Sequence, residues 1–234
     1  MSTTSPSPPV RRRWRQFGLR ALLILALPLS LLGRWVQVTV QEERAAQVLK
    51  GLGAEIKRAD FIDAEGKVGY QSLGTFEFNH VRCVIIRQGL QDEHFVLLER
   101  CPSLVWLAIW SDEITPAGVK RLSRLRNLRL LTLHGTQLSD EIFATINSFP
   151  LLEELALSSD QLTDAGLAQF TANSTLTKLT LSSTNITDAS VPVIKRMTHL
   201  KTLYFVKCSL SDSVIAELEQ ALPDCLVHRQ KPQP

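Results

Sequence analysis

The chain repeats itself at a fixed interval. Leucine stands at five positions that are each 24 residues apart: Leu104, Leu128, Leu152, Leu176 and Leu200. A second leucine follows each of them after three residues, and another apolar residue follows after five. A unit of this length cannot bury its apolar face alone, so neighbouring units must stack to form one continuous core. The interval therefore predicts a solenoid.

Each 24-residue unit changes its hydrophobic period once. In LTLSSTNITDASVPVI, residues 179–194, apolar and polar residues first alternate as in a strand, and the later apolar residues have helical spacing. A hydroxyl residue and a residue suited to the first helical turn separate the two phases at Thr115-Pro116, Ser139-Asp140, Thr163-Asp164, Thr187-Asp188 and Ser211-Asp212. Ser and Thr cap helix starts, so each unit is predicted to contain a strand, a turn and a short helix.

The apolar positions match a known template. They read L-x-x-L-x-L-x-x-N/C-x-L, the leucine-rich-repeat pattern. The N/C position is occupied by Thr136, Asp160, Thr184 and Cys208, and a degenerate earlier copy comprises Cys83, Ile85, Leu90, Phe95 and Leu98. The sequence therefore predicts an α/β solenoid, a leucine-rich-repeat horseshoe segment of about six 24-residue repeats over 80–222 with a parallel sheet on its concave face. A C-terminal cap strand and tail are expected over 223–234, with the strand at Pro223–Val227 and a frayed tail, HRQKPQP, after it.

Positive charge is concentrated at the N-terminus. The formal net charge is +3, but residues 1–20 contain five arginines and no acidic residue, so the remainder of the chain carries −2. A nucleic-acid-binding domain would carry its basic residues on the folded surface, so this distribution argues against nucleic acid as a partner.

An apolar run follows the arginines. Ala21–Gly33 contains no charged residue, but as a helix it extends only about 20 Å, against a bilayer core of about 30 Å. The stretch Leu19–Val40 is long enough if the arginines near its ends reach the two interfaces. We therefore expect a disordered basic cytoplasmic arm at 1–16 and a single-pass transmembrane signal anchor at 17–40. A cleaved secretory signal and a buried core helix are the alternatives.

The arginine excess also predicts orientation. It would hold the N-terminus in the cytoplasm and place the repeats on the periplasmic side of the membrane. Residues 41–79 are then expected to form a juxtamembrane helix and a small α+β cap that covers the exposed edge of the first repeat. The helix, QEERAAQVLKG, is predicted to end at Gly51 and Gly53.

Several of these segments together resemble one class of proteins. RRRWRQFGLRALL, LGRW, QEERAAQVLKGLGA and the T-D-A-G-L repeats are similar to the small membrane-anchored leucine-rich-repeat proteins of planctomycete bacteria, whose repeats are ribonuclease-inhibitor-like. The resemblance covers 11–58 and 80–222. It implies a membrane location and a role in protein interaction, and it supplies no catalytic residues.

The sequence contains no constellation typical of catalysis. The five histidines, His80, His94, His134, His199 and His228, fall at different phases of the repeat, and no nucleophile elbow, phosphate loop or HExxH motif is present. The recurring Asp residues could suggest a calcium ladder, but helix starts already explain them. The four cysteines lack metal-site spacing and are read as buried apolar residues. We therefore expect no enzyme activity, cofactor, metal or small-molecule substrate.

The residues between the inward leucines predict a binding surface. They should line the concave face, where the first repeats contribute apolar and aromatic side chains and the later ones small polar side chains. The candidate protein-binding residues are Ile86, Trp106, Trp110, Leu130, His134, Glu154, Lys178 and Tyr204. Exposed aromatic clusters mark binding hot spots, so an unidentified protein is the expected partner.

Other interpretations of this surface remain open. The cap could cover Val84, Ile86 and Trp106 and make the tryptophans part of a core, or this surface could lie against the membrane. A structural envelope component without a dedicated ligand and a cytoplasmic adaptor are the alternative functions.

Overall fold

A computed structural model describes most of the chain, which divides into two units between Gln41 and Glu42. The described residues are 29–58, 61–62, 68–69, 80–171 and 174–230. The predicted arm, the first part of the predicted anchor at 17–28 and most of the cap between 59 and 79 lie outside these residues. Within the described residues, no helix is both long enough and apolar enough to cross a membrane.

A largely parallel sheet forms the second unit. Its eight described strands are β1 (Glu55–Arg58), β4 (Val81–Ile86), β5 (Trp106–Trp110), β6 (Leu130–His134), β7 (Glu154–Ser158), β8 (Lys178–Ser182), β9 (Thr202–Val206) and β10 (Leu226–Gln230), adjacent in that order. β1 is antiparallel to β4, and every later pair is parallel. Two short strands, β2 (Phe61–Ile62) and β3 (Val68–Gly69), form a separate antiparallel pair.

Helices alternate with these strands. They are α1 (Leu29–Gly51), α2 (Phe95–Leu98), α3 (Pro116–Lys120), α4 (Ile142–Ile146), α5 (Asp164–Gln169), α6 (Val191–Ile194) and α7 (Asp212–Ala221), with 3-10 turns at Asp92–His94, Arg121–Arg124 and Asp188–Ser190. Helix and strand side chains share one apolar cluster, which places the helices on a single face of the sheet. The arrangement is the predicted α/β solenoid-like fold.

The inward leucines form a continuous spine. Leu131, Leu155, Leu179 and Leu203 are register partners on adjacent parallel strands, and each is at most 1% exposed. Full burial of one such side chain contributes about 1.5–3 kcal/mol. The predicted side-by-side arrangement is confirmed, and the spine is part of the one core that the sheet and the helices share.

Aspartates connect successive units. The Asp140 carboxylate accepts hydrogen bonds from the backbone N–H of Thr163 at 2.8 Å and from its hydroxyl at 2.6 Å. Asp164 accepts the same two bonds from Thr187 at 2.9 and 2.6 Å. Each Thr also caps its own helix. The recurring Asp therefore satisfies polar groups of the next unit, and Asp164 also stands in the first turn of its own helix.

The glycine of the T-D-A-G-L motif follows from this contact. A Cβ at Gly166 would lie 2.1 Å from Oδ1 of Asp140, so glycine lets the carboxylate of the preceding unit pack closely here. One unit later, Ser190 occupies this position and its hydroxyl donates to Asp164. Pro116 stands at an aspartate position and makes no such bond, and Ile142 occupies the glycine position of the next unit.

One predicted helix start is wrong. Thr115, Thr163, Thr187 and Ser211 cap helix starts as expected, but α4 begins at Ile142 with Glu141 before it and without a side-chain cap. Ser139 therefore lies outside the cap position. The other capping residues are each bound by an aspartate of the preceding unit, whereas Pro116 stands at that position before Ser139.

The residue at the N/C position of the repeat template is buried in only two of the four units. Thr184 and Cys208 are buried, with Oγ1 and Sγ 3.3 Å apart, whereas Thr136 and Asp160 are exposed. In the last two units the preceding residues, Ser183 and Lys207, have positive φ values of 49° and 55°. This left-handed turn directs the following side chain inward, and the earlier units do not adopt it.

The register of the first copy is off by one residue from the prediction. Val84 pairs with Leu107 and Ile86 with Ile109, so these residues point into the main core. Cys83 and Ile85, which were predicted to point inward, lie on the opposite face. Three residues separate Ile86 from the next inward residue, Leu90. In the following unit, four residues separate the equivalent pair, Ile109 and Ile114. Because strand side chains alternate, this one-residue difference reverses both faces.

Glycines shape the turns at the N-terminal end. Gly89 makes the shortened turn after β4 possible with φ +75°. Gly53, with φ +83°, ends α1 in a Schellman motif, in which the N–H groups of Gly53 and Ala54 donate to the carbonyls of Lys50 and Leu49 at 3.0 Å. The predicted helix end is therefore confirmed.

The C-terminal strand closes the core with a charged residue. Arg229 in β10 is the register partner of Phe205, an inward position. Its guanidinium donates to the Leu210 carbonyl at 2.7 Å and also binds Asp212. The residues from His228 to Gln230 therefore belong to a strand, whereas the sequence predicted a frayed tail there.

Candidate functional site

The face of the sheet opposite the helices carries the candidate residues; we call it the open face. Its side chains fall in rows, because parallel strands with a constant register place equivalent residues side by side. The row that begins at Trp106 continues through Leu130, Glu154, Lys178 and Thr202. A second row begins at Ala108 and a third at Trp110, and the three rows together span β5 to β9.

Seven of the eight predicted residues lie on the open face: Trp106, Trp110, Leu130, His134, Glu154, Lys178 and Tyr204. The predicted position of Ile86 is wrong, since it is 0% exposed and belongs to the main core. Sequence reasoning missed Cys83 and Ile85, which occupy that part of the open face instead. The shorter turn before Leu90 was the signal that could have revealed them.

An apolar cluster occupies the N-terminal part of the open face. Cys83, Ile85 and Ala108 are buried there, separately from the main core, with Trp106 and Trp110 half-buried against them. Cys83 is the direct cross-strand partner of Trp106. Burial raises the pKa of the Cys83 thiol to about 11, with a smaller opposing effect of Lys57. The thiol is therefore neutral near pH 7 and contributes apolar surface.

Two cations lie over the tryptophan rings. The Lys57 ammonium is 5.9 Å from a ring centroid of Trp106, and the Arg87 guanidinium is 5.3 Å from that of Trp110. Such cation–π contacts contribute about 0.5–1 kcal/mol at exposed sites. They hold the rings in place while part of each ring stays accessible, which gives the cluster a preset shape.

A hollow adjoins Trp106. Its cavity volume is about 150 Å³, and its lining includes Trp106, Leu130, Thr132, Ala156 and Thr180. The small side chains at the centre leave the hollow open, and the tryptophan forms one wall. On the opposite side Glu154 and Lys178 form an ion pair at 3.1 Å. The hollow can therefore receive a small apolar group between an aromatic wall and a charged pair.

The C-terminal part of the open face is more polar. Tyr204 stacks on His228 with ring centroids 4.7 Å apart and an interplanar angle of 15°. Thr202 and Ser182 contribute hydroxyl groups nearby. His134, which lies next to Trp110 in the third row, is exposed. Aromatic and polar groups are thus available along the whole face for contacts with a partner.

The described residues offer few groups for chemistry beyond binding. No group of three or more His, Cys, Asp or Glu side chains among them is placed to hold a metal ion. The recurring aspartates bind the next unit through hydrogen bonds. All four cysteines are buried and free, which confirms their expected role as apolar residues.

Similarity to known proteins does not narrow the function further. We found no protein-family model that matches the chain and no curated protein that matches it.

Proposed function

We propose that this is a non-catalytic, membrane-anchored leucine-rich-repeat protein that binds another protein through the open face. The 24-residue template supports the repeat class, and the parallel sheet with helices on one side supports the same architecture. The apolar run between the five N-terminal arginines and Arg34 supports the anchor, and the N-terminal arginine excess supports an orientation with the N-terminus in the cytoplasm and the repeats on the periplasmic side.

One observation carries the binding proposal. Trp106 and Trp110 lie half-buried beside an open hollow, on a face that the described helices leave uncovered. Tryptophan is enriched at the energetic centres of protein interfaces, where it fills a preset pocket or forms its wall. A purely structural sheet face would use only the part of each indole that packs on Cys83, Ile85 and Ala108, whereas the accessible part of each ring is free to contact a partner. The expected partner presents an apolar side chain to the hollow and a polar rim to Glu154 and Lys178.

A photo-crosslinking experiment in native cells tests this proposal. A benzophenone amino acid at Leu130, which lines the hollow, should yield one recurrent crosslinked protein. A matched probe at Val96, an exposed residue of α2 on the helix side, should not yield it. Trp110→Ala should abolish the product from the Leu130 probe because it removes part of the aromatic surface.

The stability of the Trp110→Ala variant decides between binding and packing. Its Tm should fall by no more than about 4 °C, equivalent to about 1 kcal/mol for a chain of this size. A much larger loss would show that Trp110 belongs to a core and would overturn the binding proposal. If the crosslinking experiment gave diffuse or self-crosslinked products and no recurrent partner, the result would favour a structural envelope component.

A further inference from the structure

The two edges of the parallel sheet differ strongly in charge. The amino edge consists of the links that lead into the strands: 99–105, 123–129, 147–153, 171–177, 195–201 and 219–225. The carboxyl edge consists of the turns that follow them: 87–93, 111–117, 135–141, 159–165, 183–189 and 207–213. The amino-edge segments contain seven basic residues (Lys or Arg) and four acidic residues. The carboxyl-edge segments contain two basic residues and ten acidic residues.

The fold itself explains the acidic edge. Helices start there, and their exposed N–H groups favour acidic side chains. Asp92, Asp140, Asp164 and Asp188 also accept hydrogen bonds from the next unit. These carboxylates serve the solenoid and need no external partner.

Helix ends and internal hydrogen bonds explain only part of the positive charge on the amino edge. Helix ends favour basic residues, and Arg126 donates to the Ser148 carbonyl at 3.0 Å. The Arg124 side chain, however, is 81% exposed and approaches Glu99 only at 4.0 Å, while Arg121 approaches the same carboxylate at 3.5 Å. Two arginines thus share one acid, which leaves an excess of positive charge facing the solvent.

The second unit begins at this same edge. Glu42, its first residue, is 2% exposed, and its carboxylate accepts a hydrogen bond from the Val81 N–H at 2.6 Å. It also binds Nδ1 of His80 at 2.9 Å. Val81 is the first residue of β4, so Glu42 fixes the entry of the chain at the amino edge. An anchor that ends at residue 40 would attach the solenoid at its basic edge.

We infer that the amino edge lies against the bilayer and that its basic side chains bind anionic phospholipid headgroups. The contacting residues are Arg100, Arg124, Arg126 and Arg196, while Arg129 and Lys201 on the same edge pair with Glu153 and Asp224. Juxtamembrane Lys and Arg side chains are attracted to anionic lipid surfaces within a Debye length. The acidic edge would be repelled by the same surface, so both edges favour one orientation. The strands then run away from the membrane, and the open face stands sideways, accessible to a partner. This inference rests on the proposed membrane anchor.

Energy transfer in lipid nanodiscs tests the inference with the full-length chain. One variant carries Thr198→Cys at the amino edge and a matched variant carries Thr136→Cys at the carboxyl edge; both threonines are exposed. The four native cysteines are buried, so a fluorophore labels only the introduced thiol. The acceptor is a headgroup-labelled lipid, and the discs contain either phosphatidylcholine alone or phosphatidylcholine with about one third phosphatidylglycerol.

The inference predicts stronger transfer from position 198 than from position 136, and an increase at 198 with phosphatidylglycerol. Combined Arg124→Glu, Arg126→Glu and Arg196→Glu substitutions should remove this increase. The matched Gln substitutions guard against misfolding of the Glu variant and should reduce the increase at least twofold. Equal transfer from both positions, or an increase that survives both triple variants, would overturn the inference while leaving the anchor intact. Loss of the chain from the discs in alkaline carbonate would overturn the anchor and, with it, this inference.

Discussion

The inner face and the open face of the sheet are formed by the same strands but differ in the chemistry of their side chains. In β7, Leu155 and Leu157 point inward, whereas Glu154 and Ala156 point to the open face. The inward positions are apolar in every strand from β4 to β9, because each must fill the same space between sheet and helices. The open-face positions change from tryptophan to glutamate to lysine along one row. The solenoid needs only the first set, which leaves the second available for recognition.

The largest expected difference between the two faces is in stability. Leu155→Ala removes a side chain of the spine and should lower the free energy of unfolding by about 2–5 kcal/mol. Glu154→Ala, one residue earlier on the open face, should change it by less than about 1 kcal/mol, since its ion pair with Lys178 is partly exposed. Chemical denaturation of both variants measures the two changes in the free energy of unfolding. Similar losses for the two would contradict the division of roles.

A smaller loss is expected where two units meet. Gly166→Ala places a Cβ against the Asp140 carboxylate and should cost about 1–3 kcal/mol. Gly51→Ala is a matched control, because no atom lies within 4 Å of the added Cβ. Asp140→Ala should relieve the clash, so the double variant should be more stable than the sum of the two losses implies. Strict additivity in a double-mutant cycle would disprove the contact.

The smallest effect concerns reactivity on the open face. Burial raises the pKa of Cys83 to about 11 and that of Cys101 to about 12, so both thiols stay protonated near pH 8 and should react slowly with iodoacetamide. Trp106→Ala should uncover Cys83, its cross-strand partner, and raise its alkylation rate at least severalfold. Cys101, in the main core, should be unaffected. Peptide mass spectrometry after timed alkylation distinguishes the two sites, and an unchanged Cys83 rate would show that Trp106 does not cover it.

Much of the repeating structure was predictable because local rules and the fold agree. The leucine spine follows from a constant interval, and the caps at Thr163 and Thr187 follow from hydroxyl residues before helical spacing. The placement of seven candidate residues on the open face follows from strand alternation. Each of these features depends on residues within one unit and its equivalent in the next.

The sequence by itself determined the interval, the apolar spine and the chemistry of the open face, because these depend on the order of side chains along each strand. The tertiary structure decided the register of β4, where a turn shortened by one residue at Gly89 brings Ile86 into the core and Cys83 to the open face. It also decided which aspartates bind the next unit and how closely the Asp140 carboxylate approaches Gly166. The aspartate contacts join residues more than twenty positions apart, which no pattern within a single unit contains, whereas the short turn at Gly89 is a local signal that the sequence interpretation missed.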